Sequence, residues 1–441
     1  MNIIKEKYQS KKVLVVGLGL QGGGVGVAKF FAELGAKVTV TDKKDRTQLL
    51  VSIEVLKDYP IEYHLGGHIL SDFEASDVIF KGPSVPWTIP EIVAAEKKGI
   101  PVEMELSFFA KHFPGKIIGV TGTRGKSTTT HLIFNLLKLS GYPVYLGGGL
   151  PGISTINYLK TLEEKDYLVA ELSSFSLSGF HRAKISPHIA VFTNIYPDHL
   201  NYYKKMDEYL YDKKAVYFYQ KKDDSLIINK SLLKYLENPK SSVLEFNSKD
   251  FPGEMVYLKG EHNAENAAAA LKAAELLKID REKAIKIISN FKGLPFRQEI
   301  VGEKSSVIFV NDTTSTTPTS TIKAIESFKD KKIVLILGGN SKNLPWEELI
   351  AELDKVERIV LLSGSFTNEI LDTLQTVLSR KITAKTYDDL SEAVEEAYRL
   401  ARELHGGYVL FSPAATSFAM FNNEFHRGKE FNRTVEYILN N

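Results

Sequence analysis

The stretch Lys116–Thr130, KIIGVTGTRGKSTTT, limits the folds open to this chain more than any other, because an apolar strand runs into a glycine-rich turn that ends in Lys-Ser and opens a helix. Backbone N–H groups from Gly122 to Gly125, with the free N–H groups of the helix's first turn, converge on one point where the helix dipole favours an anion. Lys126 adds a cation there, and Ser127 a hydroxyl suited to Mg2+. The long phosphate-loop pattern G-x-x-x-x-G-K-[ST] requires glycine at position 120, which is Val120 here, so the match is to the shorter G-x-x-G-K-S form. A strand–helix turn with a surface lysine is the plain alternative. It leaves the order strand, glycines, Lys-Ser, amphipathic helix without a cause.

A second unit of this kind opens the chain. Strand Val13–Val16 leads into Gly17-Leu-Gly19-Leu-Gln-Gly22, a helix over about Val25–Leu34, the strand Lys37–Thr41 and then Asp42, 20 residues after Gly22. That is the G-x-G-x-x-G spacing of a dinucleotide fold, in which the acidic side chain holds a ribose. Lys43 and Lys44 follow directly and favour a ligand with extra phosphate. Glycines serving helix packing alone would also give this pattern, since the fingerprint reports a fold better than a cofactor. Strand Val78–Phe80 enters the turn Gly82-Pro-Ser84-Val-Pro86, at a strand end where open α/β sheets bind ligands. A helix over Pro90–Lys98 and the segment Val102–His112 close this region, and Phe113–Lys116 reads as a linker.

After the phosphate turn, strand and helix alternate through Thr128–Leu139, Pro143–Leu146 and Tyr167–Glu171. Glu171 ends an apolar strand beside the phosphate turn. Strand Ile189–Asn194 runs into Tyr196-Pro-Asp198-His199, where a histidine and a carboxylate at a buried strand end suit a metal or phosphate role. Tyr209–Ala215 reads as the start of a helix, and nothing in the bare pattern singles out Lys213 or Lys214. Short runs between Asp223 and Lys259 suggest hairpin strands. The Ala-rich helix to about Leu277 carries Asn263 and Asn266 on one face, and capping explains only one of them. Gly293–Arg297 has hinge punctuation. From about Gln298 a third βα array begins, with polar clusters after its strands at Asp312–Thr316, Gly338–Lys342 and Ser412–Phe418. Repeated β-α order implies parallel sheets with helices on both faces.

Length and charge set outer limits. The 441 residues suggest about two to four domains. Lys plus Arg total 56 against 54 for Asp plus Glu, so no global basic field recruits nucleic acid. With no cysteine, disulfides, thiolate nucleophiles and Cys-ligated metals are excluded. The N-terminus lacks the apolar core of a signal peptide and no apolar run reaches about 18 residues, so a cytoplasmic protein without membrane partners is expected.

The pieces GLGLQG, TGTRGKSTTT, ELSSF, TNIYPDHL, Tyr209-to-Lys213, GEHNAENAAAA, GLPFRQE, NDTTSTTP, GGNSK and SPAATSFAMFNNEFHRG stand in the order and at the spacings of one family. On them the chain resembles the Mur ligase family, and within it the members that add D-glutamate to UDP-N-acetylmuramoyl-L-alanine. The resemblance implies a three-domain α/β chain: residues 1–112, Rossmann-like, for the UDP substrate; 113–296, a phosphate-loop ATPase-type domain, for ATP; 297–441, Rossmann-like, for the amino acid. It implies a monomer, and a reaction in which ATP phosphorylates the substrate carboxylate and an amino group displaces phosphate.

The same resemblance assigns roles. Gly122, Thr123, Arg124, Gly125, Lys126, Ser127 and Thr128 would hold ATP phosphates, with Asn263 and Asn266 at adenine and ribose and Arg297 and Asp312 completing the nucleotide site. Ser127 and Glu171 would bind one Mg2+, and His199 with a carbamylated Lys213 a second; Lys126, His199 and Lys213 would be catalytic. Leu20, Gln21, Asp42, Lys43, Lys44, Ser84 and Gly149 would contact the UDP substrate, and Thr316, Lys342, Ser417 and Phe418 the amino acid. Two departures touch the UDP positions: Gly82-Pro83-Ser84 replaces the family's Ser-Pro-Gly, and Gly149 replaces an asparagine. Sister enzymes adding another amino acid remain open, although the Asp-Asn-Pro-Arg of diaminopimelate- or lysine-adding members and the His-x-x-Gly-Ile-Gly-Gly start of alanine-adding members are absent. An NAD-dependent oxidoreductase would explain the first fingerprint alone. A nucleotide switch without chemistry would explain the phosphate turn alone.

Overall fold

The computed structural model describes the chain except residues 1, 20–21, 151–152, 200–201, 259, 342–343, 418–420 and 422. It divides into two compact units, Met1–Phe291 and Lys292–Asn441.

The first unit holds two parallel sheets. Strands β1 (Lys12–Val16), β2 (Lys37–Asp42), β3 (Ile61–Leu65), β4 (Val78–Lys81) and β5 (Val102–Glu103) lie in the order β3-β2-β1-β4-β5. The order reverses between β1 and β4, so the loops after these two strands flank the crevice where such sheets take ligands. Strands β6 (Lys116–Thr121), β7 (Val144–Gly148), β8 (Tyr167–Glu171), β9 (Ile189–Phe192), β10 (Ser225–Asn229) and β11 (Ser242–Phe246) lie in the order β11-β10-β9-β6-β8-β7. Every residue of β9 is buried, as helix cover on both faces of a parallel sheet requires. One apolar cluster runs from Val13 and Phe31 through Phe108, Phe109 and Phe113 to Leu168, Phe180 and Leu226, so the two sheets share a core.

The second unit has β12 (Glu299–Lys304), β13 (Val307–Asn311), β14 (Ile333–Gly338), β15 (Arg358–Leu362), β16 (Ile382–Tyr387) and β17 (Gly407–Phe411) in the order β12-β13-β17-β14-β15-β16. Apolar clusters fill both of its faces.

Four sequence expectations change. Lys116 opens β6 and Phe113 is buried, stacked on Phe109, so Phe113–Lys116 is packed core rather than a free linker. β10 and β11 pair in parallel through a crossover that includes the 3-10 segment Lys230–Tyr235, and the run from Met255 forms no strand; alternation alone does not encode strand direction. β12, absent from the expected array, pairs antiparallel with β13. Residues Tyr209–Lys214 finish the helix Met206–Lys214 rather than start one.

Candidate functional site

The phosphate turn links β6 to the helix Lys126–Leu139. Gly122 (φ +151°) and Gly125 (φ +79°) hold left-handed backbone, and a Cβ would collide with the Thr193 hydroxyl at the first and the Asn266 side chain at the second. Only glycine fits both positions. The end of β9 fixes the turn: Asn194 Oδ1 accepts from Arg124 N at 2.8 Å, the Thr193 hydroxyl donates to Arg124 O at 2.7 Å, and Thr123 N donates to Asn194 O at 3.0 Å. These bonds tie the non-helical peptides down and leave the helix's first turn directed outward. Thr193 and Asn194 were not singled out in the sequence, although an asparagine ending a buried strand was a usable signal.

Two lysines meet over this turn. Lys126 Nζ folds back to donate to Gly122 O at 3.1 Å and Thr123 O at 3.0 Å. Lys213, only 1% exposed, donates from Nζ to the same Gly122 O at 2.7 Å and lies 4.8 Å from the centre of the Tyr209 ring. Burial, and then the neighbouring Lys126 charge, hold the Lys213 amine well below its usual range, against the pull of Asp198, Glu171 and Asp212. Lys214 turns elsewhere, to Glu237 Oε1 at 2.5 Å.

Around them stand the other strand-end groups. Glu171 closes β8 with a buried Oε2 that has no hydrogen-bond partner. His199 sits at φ +54° with Nε2 3.8 Å from Asp198 Oδ2, its ring against Phe175 and Tyr209. The Tyr209 hydroxyl reaches Thr123 Oγ1 at 3.2 Å, so His199, Tyr209 and the phosphate turn form one contact chain. Asn266 accepts from the Thr129 hydroxyl at 3.1 Å and lies 3.4 Å from Asn263 Oδ1, so both asparagines are buried beside the phosphate helix. Ser127 and Thr128 are half-buried in its first turn, and Arg124 is exposed.

Comparisons with known proteins match this architecture along the chain. The model for the Mur ligase MurD-like N-terminal domain matches residues 11–103, that for the Mur ligase middle domain 120–255, and that for the Mur ligase glutamate ligase domain 296–415. A UDP-N-acetylmuramoylalanine–D-glutamate ligase of Acetivibrio thermocellus is 34% identical and covers 99% of each chain; one of Roseiflexus sp. (strain RS-1) is 35% identical over 97% of this chain and 98% of its own. The chain belongs to the Mur ligase family. Among solved structures, UDP-N-acetylmuramate-alanine ligase MurC from Thermotoga maritima aligns with a TM-score of 0.56 at 20% identity, covering 97% of this chain and 99% of that one. MurF ligase from Thermotoga maritima, in complex with ADP, aligns with a TM-score of 0.52 at 18% identity, covering 91% and 95%. These two establish the three-domain Mur ligase fold.

Of the other positions that the family resemblance assigns, Asp42 to Lys44 and Ser84 stand at strand ends of the first sheet, Gly149 follows β7 of the second, and Asp312, Thr316 and Ser417 follow strands of the third. Asp42 ends β2 with both carboxylate oxygens engaged: Oδ2 accepts from Leu18 N at 2.9 Å and Gly19 N at 3.3 Å, and Oδ1 from Lys44 N at 3.0 Å. It shapes the glycine loop, and a ribose would share an acceptor already in use. Lys43, Lys44, Ser84 and Gly149 are exposed, and Gly149 N donates to Glu171 O at 2.8 Å. Leu20, Gln21, Lys342 and Phe418 lie outside the described residues. In the second unit, Asp312 Oδ1 accepts from Gln298 N at 3.1 Å and Oδ2 from the Ser412 hydroxyl at 2.7 Å. Burial pushes its carboxyl up to about 6, against those hydrogen bonds and the charge of nearby Arg297, which is exposed. Thr316 is half-buried, and Ser417 is buried with an unpartnered hydroxyl.

No three His, Asp or Glu side chains among the described residues form a ready-made metal cage. The unpartnered Glu171 Oε2 is a carboxylate oxygen of the kind that Mg2+ takes, one or two at a time, together with substrate phosphates. No described helix is long and apolar enough to cross a membrane.

Proposed function

We propose that this chain is an ATP-dependent ligase that joins D-glutamate to UDP-N-acetylmuramoyl-L-alanine, as a monomer, in cytoplasmic peptidoglycan precursor synthesis. Residues 1–112 would hold the UDP substrate, 113–296 ATP and 297–441 the amino acid. The observation that carries the reading is the convergence on Gly122 O, where the phosphate-turn lysine and a buried second lysine meet beside an unpartnered carboxylate. A phosphate-binding switch has no use for the second lysine. The near-full-length similarity to D-glutamate-adding relatives selects the amino acid.

In the first step an oxygen of the alanyl carboxylate bonds to the γ-phosphorus, the β–γ bridging bond breaks and ADP leaves. In the second, the glutamate nitrogen bonds to the acyl carbon, inorganic phosphate leaves with the electrons of the acyl C–O bond, and the amine gives up a proton. The backbone from Gly122 to Gly125 and Lys126 bind the β and γ phosphates, and Thr193 and Asn194 hold those peptides in place before the reaction starts. Ser127 and Glu171 would hold Mg2+, which when bound neutralises charge on the transferring oxygens. Lys213, whose pKa burial and the Lys126 charge hold well below its usual range, suits addition to CO2: the nitrogen bonds to carbon, a proton leaves and an anionic carbamate replaces the amine. That carbamate and His199 would serve a second Mg2+ beside the acyl phosphate. Asn263 and Asn266 would meet the adenosine, and Arg297 and Asp312 complete the nucleotide site. Asp42, Lys43, Lys44, Ser84 and Gly149, with Leu20 and Gln21, would contact the UDP substrate; Thr316, Lys342, Ser417 and Phe418 the glutamate.

The test is phosphate release with ATP, Mg2+ and UDP-N-acetylmuramoyl-L-alanine, scanning D-Glu, L-Glu, L-Ala, D-Lys and diaminopimelate. Release that depends on D-Glu is expected. Release stimulated by another amino acid instead would move the chain to a sister activity.

A further inference from the structure

The second unit buries a cation for which the roles assigned above have no use. Arg427, in the first turn of the helix Glu424–Asn440, is 1% exposed. Its Nε donates to Thr313 Oγ1 at 2.9 Å, Nη2 to Thr313 O at 2.9 Å and Ala415 O at 3.2 Å, and Nη1 to Ala415 O at 3.1 Å. All of these acceptors are neutral. The four bonds use four of the five guanidinium N–H groups and leave one on Nη1 without a partner among the described residues. Among the described residues no carboxylate pairs with Arg427; its guanidinium lies 5.7 Å from the centre of the Phe411 ring, and the Glu424 charge favours its ionised form. Burial lowers it to about 10, so it stays charged at neutral pH. A buried charge without a counter-ion is costly unless something repays it.

A second observation lies in the same cleft. Gly338, Gly339, Leu362, Thr416, Ser417, Phe421 and Arg427 line it at the carboxyl ends of β14, β15 and β17, and the Ser417 hydroxyl there is buried without a partner. Gly339 (φ +132°) has to be glycine here: a Cβ on it would collide with Thr416 O at 2.5 Å and come 3.6 Å from Arg427 Nη1. A cation without a carboxylate partner and an unpartnered hydroxyl donor on one cavity together describe a place for an anionic oxygen ligand.

We infer that Arg427 is a specificity-determining residue of the amino-acid site: with Ser417 it receives a carboxylate of the incoming amino acid and makes the enzyme prefer an acidic acceptor over its amide. This rests on the reading of the chain as an amino-acid ligase and adds the group that enforces acidity. Arg427 does a second job at the same time. By bonding Thr313 and Ala415 it holds the loops after β13 and β17, the loops that carry Thr316 and Ser417, at a fixed separation.

The test compares D-Glu with D-Gln as acceptors in the phosphate-release assay for wild type, Arg427→Gln, Arg427→Lys and Ser417→Ala, with KM for ATP and for the UDP substrate measured alongside. Arg427→Gln is expected to lower the kcat/KM preference for D-Glu over D-Gln by about 10- to 100-fold, the scale of a lost charge-assisted hydrogen bond, with KM for ATP and the UDP substrate little changed. Arg427→Lys keeps the charge and should keep most of the preference. Ser417→Ala should raise KM for D-Glu while leaving the fold intact, since its hydroxyl has no partner among the described residues. If Arg427→Gln does not fold, the lysine and alanine variants decide. An unchanged acid-to-amide ratio in a folded Arg427→Gln, or a folded Arg427→Lys that has lost the preference, overturns the inference. Wild-type protein that releases phosphate with neither acceptor refutes the ligase reading itself, which is a separate failure.

Discussion

Lys126 and Lys213 donate to one carbonyl oxygen yet should fail differently when removed. Lys126→Ala removes a preorganised charge from the phosphates, and loss of one such contact typically costs about 10²- to 10³-fold in turnover. The circular dichroism spectrum should not change, and near-normal turnover would place the phosphates elsewhere. Lys213→Ala should be nearly inactive and partly rescued by short-chain carboxylic acids, which can supply the missing oxygen ligand. Lys214→Ala should stay active, because its amine pairs with Glu237 and points away from the phosphate turn. Full activity of Lys213→Ala without CO2 or added acid would remove the carbamate from the mechanism.

At the scale of elements, the first sheet is fastened to the second by buried polar contacts as well as by shared apolar core. Glu105 opens the helix Glu105–His112, and its Oε1 accepts from the Ser154 hydroxyl at 3.2 Å and Ile156 N at 3.1 Å, tying that helix to the 3-10 segment Thr155–Lys160 after β7. Burial pushes its carboxyl up to about 7, against these hydrogen bonds. A folded-state value above the unfolded one means that the stabilisation is complete below about pH 4.5 and is lost as pH rises through about 7, by at most about 3 kcal/mol. Glu105→Gln keeps an acceptor for both bonds and removes the titration. Its denaturation midpoint should therefore match wild type near pH 4.5 and exceed it at pH 8. An offset that is the same at both pH values would show that Glu105 does not titrate in this window.

For the whole molecule, the first unit carries both of its sheets as one packed body. The Trp87 indole donates to Ser178 Oγ at 2.9 Å and lies between the Lys81 ammonium, 4.3 Å from its ring centre, and the Arg182 guanidinium, at 4.2 Å, so the loop after β4 is pinned to the helix Ser174–Ala183 of the second sheet. The boundary between units falls at Phe291 and Lys292, beside the Gly293–Arg297 punctuation. Closure of loops or domains around bound substrates commonly excludes water from reactive intermediates such as an acyl phosphate. Small-angle scattering should show a smaller radius of gyration with an ATP analogue and UDP-N-acetylmuramoyl-L-alanine together than with neither. An unchanged radius at saturation would mean that the working site needs no closure.

What the sequence determined by itself was whatever depends on local chemistry: apolar runs that end in glycine, Lys-Ser or a carboxylate announce buried parallel strands with reactive ends, and the phosphate turn, Glu171 and the asparagine pair were legible for that reason. Adjacent helical residues point about 100° apart, so Lys213 and Lys214 could not both face one metal, but the bare pattern did not choose between them; the packed chain turns Lys213 to Gly122 O and Lys214 to Glu237. Tertiary structure decided what depends on which groups are brought together from afar. It paired β10 with β11 in parallel, buried Phe113 in a core that residues over 60 positions away complete, and spent the Asp42 carboxylate on the glycine loop. It also buried Arg427 with no carboxylate partner among the described residues. A lone arginine in a helix's first turn reads as a solvated surface charge, and only the approach of the loops after β13 and β17 takes away its water. The cost of an unpaired charge is set by desolvation, and desolvation is a property of the packed chain that no local pattern carries.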